Sequence, residues 1–259
     1  MAENSKWTGW HTFVLLATIV AIVLIGLLIP LQRRLWAWLG TLILLTVFTT
    51  ITGHGITGLW RGLLIDERNK ISLSRLQMIL WTIVVLSGFL TAALSNLALG
   101  QTDPLSIAIP TELWLLMGIS TTSLVGSPLI KSTKKAKKPN DSETTSTFKL
   151  MAKEGIDTSK LASKGQIVVN TALEEARWSD LFKGEESGNA AQLDLSKVQM
   201  FFFTLILVLA YAVAIGTAFT GTALKISDFP ALNAGMVALL GISHAGYLVH
   251  KAVPHSQTA

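Results

Sequence analysis

The sequence predicts an all-α integral membrane protein with six transmembrane helices, both termini cytoplasmic, a parallel duplication of a two-helix unit (helices 3-4 and 5-6) and a small cytoplasmic insertion. Three observations predict it. Half of the 259 residues are hydrophobic and only 14% are charged, where a soluble domain carries roughly 25%; mean hydropathy is +0.52. The apolar residues gather into runs of about 20, the length a helix needs to cross a bilayer. One short polar motif introduces two of those runs.

The expected spans cover residues 11–29, 35–53, 78–99, 111–130, 200–222 and 230–250, and Glu112, at an end, is their only Asp, Glu, Lys or Arg. A β-barrel, built from shorter alternating stretches, is disfavoured. The first run is long for a signal peptide and leads into Pro30-Leu31-Gln32-Arg33-Arg34 with no small-residue cleavage site, so it is expected to remain as an anchor. Of the 21 Lys and Arg, only Arg33, Arg34 and Lys225 fall on the side opposite the termini. The positive-inside rule therefore places both termini in the cytoplasm. Net charge +5 then reflects topology, and nucleic acid is not an expected partner. Trp7, Trp10, Trp36, Trp38, Trp60, Trp81 and Trp114 fall near span ends, where an amphipathic ring suits the headgroup layer; Trp178 does not. The absence of Cys excludes thiolate metal sites, cysteine nucleophiles and palmitoylation.

Residues 1–53 form an N-terminal transmembrane hairpin. In 54–77, Ile56, Leu59, Trp60, Leu63 and Leu64 make a one-sided apolar stripe, expected on a short helix along the inner surface. Residues 78–130 and 200–259 hold the two repeats, the second with a short tail. The insertion, 131–199, opens with a Lys-, Ser- and Thr-rich stretch, 131–146, that reads as a flexible linker. Gly165-Gln166-Ile167-Val168-Val169-Asn170 suits a short strand with no evident partner. Thr171-Ala172-Leu173-Glu174 then makes a capping box for a helix carrying Leu173, Trp178, Leu181 and Phe182, of which Trp178, Leu181 and Phe182 are expected to dock a cytoplasmic protein.

The repeat rests on two motifs in order. Ser72-Leu73-Ser74-Arg75-Leu76-Gln77-Met78 matches Asp194-Leu195-Ser196-Lys197-Val198-Gln199-Met200, 122 residues on, and Leu116-Met117-Gly118-Ile119-Ser120 matches Leu239-Leu240-Gly241-Ile242-Ser243, 123 residues on. Both copies start on the same side, so they are parallel repeats. Ser74 with Gln77, and Ser196 with Gln199, fit capping boxes, and Leu73 with Met78, like Leu195 with Met200, fits a hydrophobic staple. Arg75 and Lys197 are expected either to snorkel to the headgroups or, with Asp66 and Glu67, to ring an inner mouth.

Gly118, Ser120, Gly241 and Ser243 are small residues suited to helix packing between the copies or between subunits. Ser87, Thr91 and Ser95 form a hydroxyl stripe for packing or for lining a pore. His244 is expected to make an interhelical hydrogen bond, with pore lining or a proton or metal role as the alternatives; helix one is expected to leave His11 near the membrane surface. Lys131, Lys134, Lys135, Lys137 and Lys138 are expected to enforce topology and attract anionic lipid of the inner leaflet. Protease, hydrolase and nucleotide-binding motifs are missing, and no residue set calls for a cofactor.

The two motif pairs, with 178–186 and 199–256, resemble a set of uncharacterised bacterial multi-pass inner-membrane proteins that combine a Ser-Leu-Ser-Arg-x-Gln helix entrance with a Leu-x-Gly-Ile-Ser helix. The resemblance implies a bacterial inner-membrane location and transfers no activity. Two functions stay open. The favoured one is a non-enzymatic scaffold or anchor that self-associates, as a homo-oligomer, and docks a cytoplasmic partner; the other is an oligomeric channel or transport component for ions or small solutes.

Overall fold

The computed structural model describes residues 6–221 and 223–256; Thr222, the expected end of the fifth span, lies outside them. Among the described residues the order is α1 (Gly9–Leu28), α2 (Arg34–Thr57), α3 (Leu73–Ala98), α4 (Thr111–Lys135), α5 (Asp141–Lys153), β1 (Leu161–Lys164), β2 (Ile167–Asn170), α6 (Leu195–Thr220) and α7 (Ala234–Ala252). Five helices, Gly9–Leu28, Leu31–Thr57, Leu73–Ala98, Thr111–Lys135 and Leu195–Thr220, are long and apolar enough to cross a membrane. The sixth expected span, α7, is not among them: it has 19 residues, and Ser243, His244, His250 and Lys251 dilute its hydropathy.

The chain divides into two compact units. The first comprises Met1–Leu63, Ile79–Met117 and Leu205–Val237. Pro30 and the single 3-10 turn Leu31–Arg33 fold α2 back along α1. Arg34, an exception to the charge rule, is buried and donates to the carbonyls of Leu31, Ala223 and Leu224. Asn96 clamps a connecting loop: its Nδ2 donates to the Ile226 carbonyl at 2.9 Å and its Oδ1 accepts from Ile226 N–H at 3.0 Å. Gly26 allows close packing, since a Cβ there would lie 2.4 Å from Leu94 Cδ1. Two tryptophans expected among headgroups are core residues instead. Trp38 donates to Ser87 Oγ at 3.0 Å and Trp81 packs on Tyr211, because each faces a neighbouring helix at its height in the bundle. His11, in the first turn of α1, is buried and bonded to His54 at 2.9 Å.

The second unit comprises Leu64–Met78, Gly118–Thr204 and Ala238–Ala259. From Ile56, at the end of the first unit, into the second unit, the structure corrects three expectations. Ile56 to Leu64 make no separate surface helix: α2 continues to Thr57, ends at left-handed Gly58 (φ 75°), and only a 3-10 turn, Gly62–Leu64, follows. The linker expected over 131–146 is mostly helix. α4 extends to Lys135, and Asn140 starts α5 by accepting from the N–H groups of Ser142 and Glu143, as an N-cap should. Finally, the helix expected after Thr171 is two isolated 3-10 turns, Leu173–Glu175 and Trp178–Leu181. Ala172 rather than Thr171 occupies the first cap position, and Thr171 Oγ1 donates to the Lys160 carbonyl.

The expected strand does have a partner. β2 pairs antiparallel with β1, from Leu161 opposite Asn170 to Lys164 opposite Ile167. The reversal is at Gly165 (φ 58°), where a Cβ would lie 2.2 Å from the Lys135 carbonyl oxygen, so glycine is required there for both backbone angle and space. Met151, Val168 and Ala190 form a small core, with Phe148, Ile156, Leu161 and Ala191 packed on it. Backbone bonds from Val168 to Glu185, Ser187 to Gln166 and Asn170 to Arg68 then hold the 185–187 stretch and the 66–70 turn beside β2.

Candidate functional site

Four helix portions in the second unit bury polar faces. α4 buries Ser120, Ser123, Ser127, Lys131 and Lys134, and α7 buries Ser243, His244, Tyr247 and Lys251. The α4 series recurs every three or four residues, and in α7 the adjacent pair Ser243 and His244 is followed at such spacings by Tyr247 and Lys251, so each series is one stripe of its helix. α3 adds Ser74 and Gln77, and α6 adds Lys197 and Thr204.

These groups meet at two levels. At the first, Gln77 Nε2 donates to Thr204 Oγ1 and lies 3.3 Å from His244 Nε2, while His244 Nδ1 is 2.6 Å from Ser123 Oγ. With the Gln77 amide as donor, His244 Nε2 accepts and Nδ1–H donates to Ser123. Around this chain Ser74 Oγ, Gln77 Oε1, Ser120 Oγ and Ser243 Oγ are buried and lack partners among the described residues. Such groups are costly in a protein interior.

The second level is an ion network. Ser127 Oγ is 3.5 Å from Tyr247 Oη, to which Lys251 Nζ donates at 2.9 Å. Glu185 gathers Lys251 at 2.5 Å, Lys197 at 3.0 Å and Arg68 at 3.2 Å. Arg68 and Lys131 both reach Asp66 Oδ2, at 2.9 and 2.8 Å. Lys134 is held by Glu186 at 2.5 Å and by the carbonyls of Lys251 and Val253. Thus carboxylates from the 66–67 turn and the 185–186 stretch neutralise cations on the ends of α4, α6 and α7.

The balance of burial and charge sets the ionisation. Burial alone would raise the Asp66 and Glu185 carboxyls. Arg68 and Lys131 nevertheless hold Asp66 below its ordinary range, and Arg68, Lys197 and Lys251 hold Glu185 well below it. Burial would lower the Arg68 guanidinium, but Asp66 and Glu185 raise it. Lys70 is different: burial outweighs Asp180 and brings it down to about 8.

Several expected site residues take other places. Lys197 is buried on Glu185 and donates to the Lys183 carbonyl at 2.7 Å, whereas Arg75 is half-buried and donates to the Ile65 carbonyl at 2.7 Å. They form no ring. Gln77 does not close a capping box but turns inward, Gln199 is exposed, and at α6 the cap is Asp194, whose Oδ1 accepts from Ser196 and Lys197 N–H. Ser196 is not the cap because the helix already begins at Leu195. Of the five lysines assigned to anionic lipid, Lys131 and Lys134 are buried in ion pairs and Lys135 lies 3.7 Å from Glu67; Lys137 and Lys138 are exposed.

Among the small residues, Ser120 and Ser243 are buried, but Gly118 is exposed with nothing near its missing Cβ, and a Cβ on Gly241 would make ordinary contact with Ile119. Close glycine approach therefore does not join these helices within the chain. Ser87, Thr91 and Ser95 are buried in the first unit; Ser87 bonds Trp38 and its own helix at Val84, a packed arrangement without a water-facing stripe. In the expected docking trio, Leu181 is buried and Phe182 packs edge-on to Phe201, 5.1 Å between centroids, so Trp178 alone is exposed. Glu185, Glu186, Arg68, Lys251 and Tyr247 were not singled out by sequence. The three- and four-residue spacing of Ser120, Ser123, Ser127, Lys131 and Lys134 is the signal that points to them, since a polar stripe on an apolar helix needs polar partners.

Comparison of the chain with protein-family profiles, with curated proteins and with solved structures returns no match.

Proposed function

We propose that this chain is a non-enzymatic scaffold or anchor of a bacterial inner membrane, with six spans, both termini cytoplasmic, and the capacity to self-associate and hold a cytoplasmic partner. The observation that carries this reading is the ion network. It fixes the polar 136–194 segment onto the ends of α4, α6 and α7, which suits a rigid platform and leaves no ring of free charge for an inner mouth. The sixth span would be α7, with Leu239, Ile242 and Val249 on its exposed side and its polar residues turned inward. The duplication is supported by helix starts: Leu73 and Leu195, then Thr111 and Ala234, keep the 122- and 123-residue offsets of the motifs. The bacterial location rests on the motif resemblance, and the charge distribution supports the orientation.

A second reading, as a channel or transport component, is favoured by the unpartnered polar atoms around His244. Proteoliposomes preloaded with a fluorescent ion indicator separate the two. The scaffold reading expects vesicles as tight as protein-free controls and an oligomer by native mass spectrometry. Flux that is reduced by His244→Ala or Ser120→Leu would overturn it and establish the second reading.

A further inference from the structure

We infer that the surface formed by Trp178, Leu193 and the start of α6 docks onto the lipid surface of the membrane that the helices cross. This rests on the spanning reading and gives Trp178 a lipid partner in place of a protein one.

Trp178 is 58% exposed, Leu193 69% and Leu195 73%. They are joined by local structure rather than scattered. The turn Trp178–Leu181 runs into Phe182, whose carbonyl accepts from Asp194 N–H at 2.7 Å; Lys183 forms a bridge with Leu193, and Gly184 N–H donates to the Gln192 carbonyl. The 182–184 and 192–194 stretches are thus one short ladder that leads straight into α6. Phe182 is fastened to that helix through Phe201.

Along α6 the exposed large apolar residues are Leu195, Phe202, Ile206, Leu209 and Val213, with exposed Gln199 on the same face between the first two. Their spacing of three, four and seven places them on one helical face, the face a spanning helix gives to acyl chains. Exposed apolar residues resume beyond Gln199 at Leu195 and Leu193, so this amide and the ladder fall where a spanning helix would meet the headgroups. A tryptophan at that height has an apolar ring for the acyl boundary and an indole N–H for the headgroups. Arg177, beside it and half-exposed, lies 4.0 Å from Glu175. A water-facing loop would have no reason to expose Leu193 and Trp178 together.

The natural absence of Cys permits clean single-site labelling. Trp178→Cys and Leu193→Cys, both at exposed positions that tolerate substitution, are spin-labelled in the full chain. Each is reconstituted in phosphatidylethanolamine–phosphatidylglycerol vesicles and compared with Ser146→Cys on α5 and Val213→Cys on α6. Power saturation with oxygen and with a water-soluble nickel chelate reads the surroundings. Labels at 178 and 193 are expected to collide more with oxygen than with the chelate, as Val213→Cys does, whereas Ser146→Cys shows the reverse. Chelate-accessible labels at 178 and 193 beside an oxygen-accessible Val213→Cys would overturn the inference and leave the spanning reading intact. Labels shielded from both reagents would also overturn it, by showing a second copy on this surface. If Val213→Cys is itself chelate-accessible, the spanning reading fails and this inference with it.

Discussion

The two helix entrances share a motif and use it in opposite ways. At α3, Gln77 is buried between Thr204 and His244 while Arg75 stays half-exposed on the Ile65 carbonyl; at α6, Gln199 is exposed while Lys197 is buried on Glu185. The amide is internal at one entrance and the cation at the other. A shared sequence thus fixes the start of a helix, while the partner presented by the rest of the unit decides which side chain is buried.

The largest test of that contrast is Glu185→Gln, which leaves Lys197, Lys251 and Arg68 buried around a neutral group. Removing one partner from a buried ion pair costs about 3–5 kcal/mol, and the loss should be measurable by unfolding in mixed micelles. Arg75→Met, at the other entrance, should cost under about 1 kcal/mol because Arg75 is only half-buried. Equal losses would break the comparison.

Acid should reach the α6 side by the same route. The Glu185 and Asp66 carboxyls are lowered in the folded protein, so the unfolded chain binds protons more readily. Their stabilisation is full above the ordinary carboxylate pKa, about 4, and is lost as pH falls from there through the lowered folded values. An unfolding titration should show this acid slope, and Glu185→Gln should make it shallower.

Smaller effects refine the pattern. Gln77→Leu strands Thr204 and His244 and should cost about 1–2 kcal/mol, whereas Gln199→Leu, on the surface, should stay within about 0.5 kcal/mol. Asp194→Ala removes the cap of α6 at about 1 kcal/mol; Ser196→Ala should cost less, since its hydroxyl caps no backbone group and bonds only the side chains of Asp194 and, at 3.4 Å, His250. If Ser196→Ala proved the more harmful, the cap would be misassigned. Thermal unfolding of each pair checks both.

Helix positions were legible because apolar run length is set locally: α3 begins at Leu73 and α6 at Leu195, at the repeated motif itself. The strand at 167–170 was legible for the same reason, being a β-branched run. What sequence hid was pairing at a distance. Lys131 and Lys134 look like a lipid-facing basic cluster until Asp66 and Glu186 are brought to them from 65 and 52 positions away. Trp38 and Trp81 likewise look interfacial until neighbouring helices cover them. Charge and aromatic character are visible in one dimension, but burial is not.

The claim that the polar segment is locked onto the helix ends is tested most directly by a double-mutant cycle between Lys197 and Glu185. Unfolding free energies of Lys197→Met, Glu185→Gln and the double variant should show a coupling within the 0.5–3 kcal/mol range seen for contacting residues, at about 1.5 kcal/mol or more. The same cycle with Arg75→Met should be additive. Additivity for Lys197 and Glu185, within about 0.5 kcal/mol, would contradict the account.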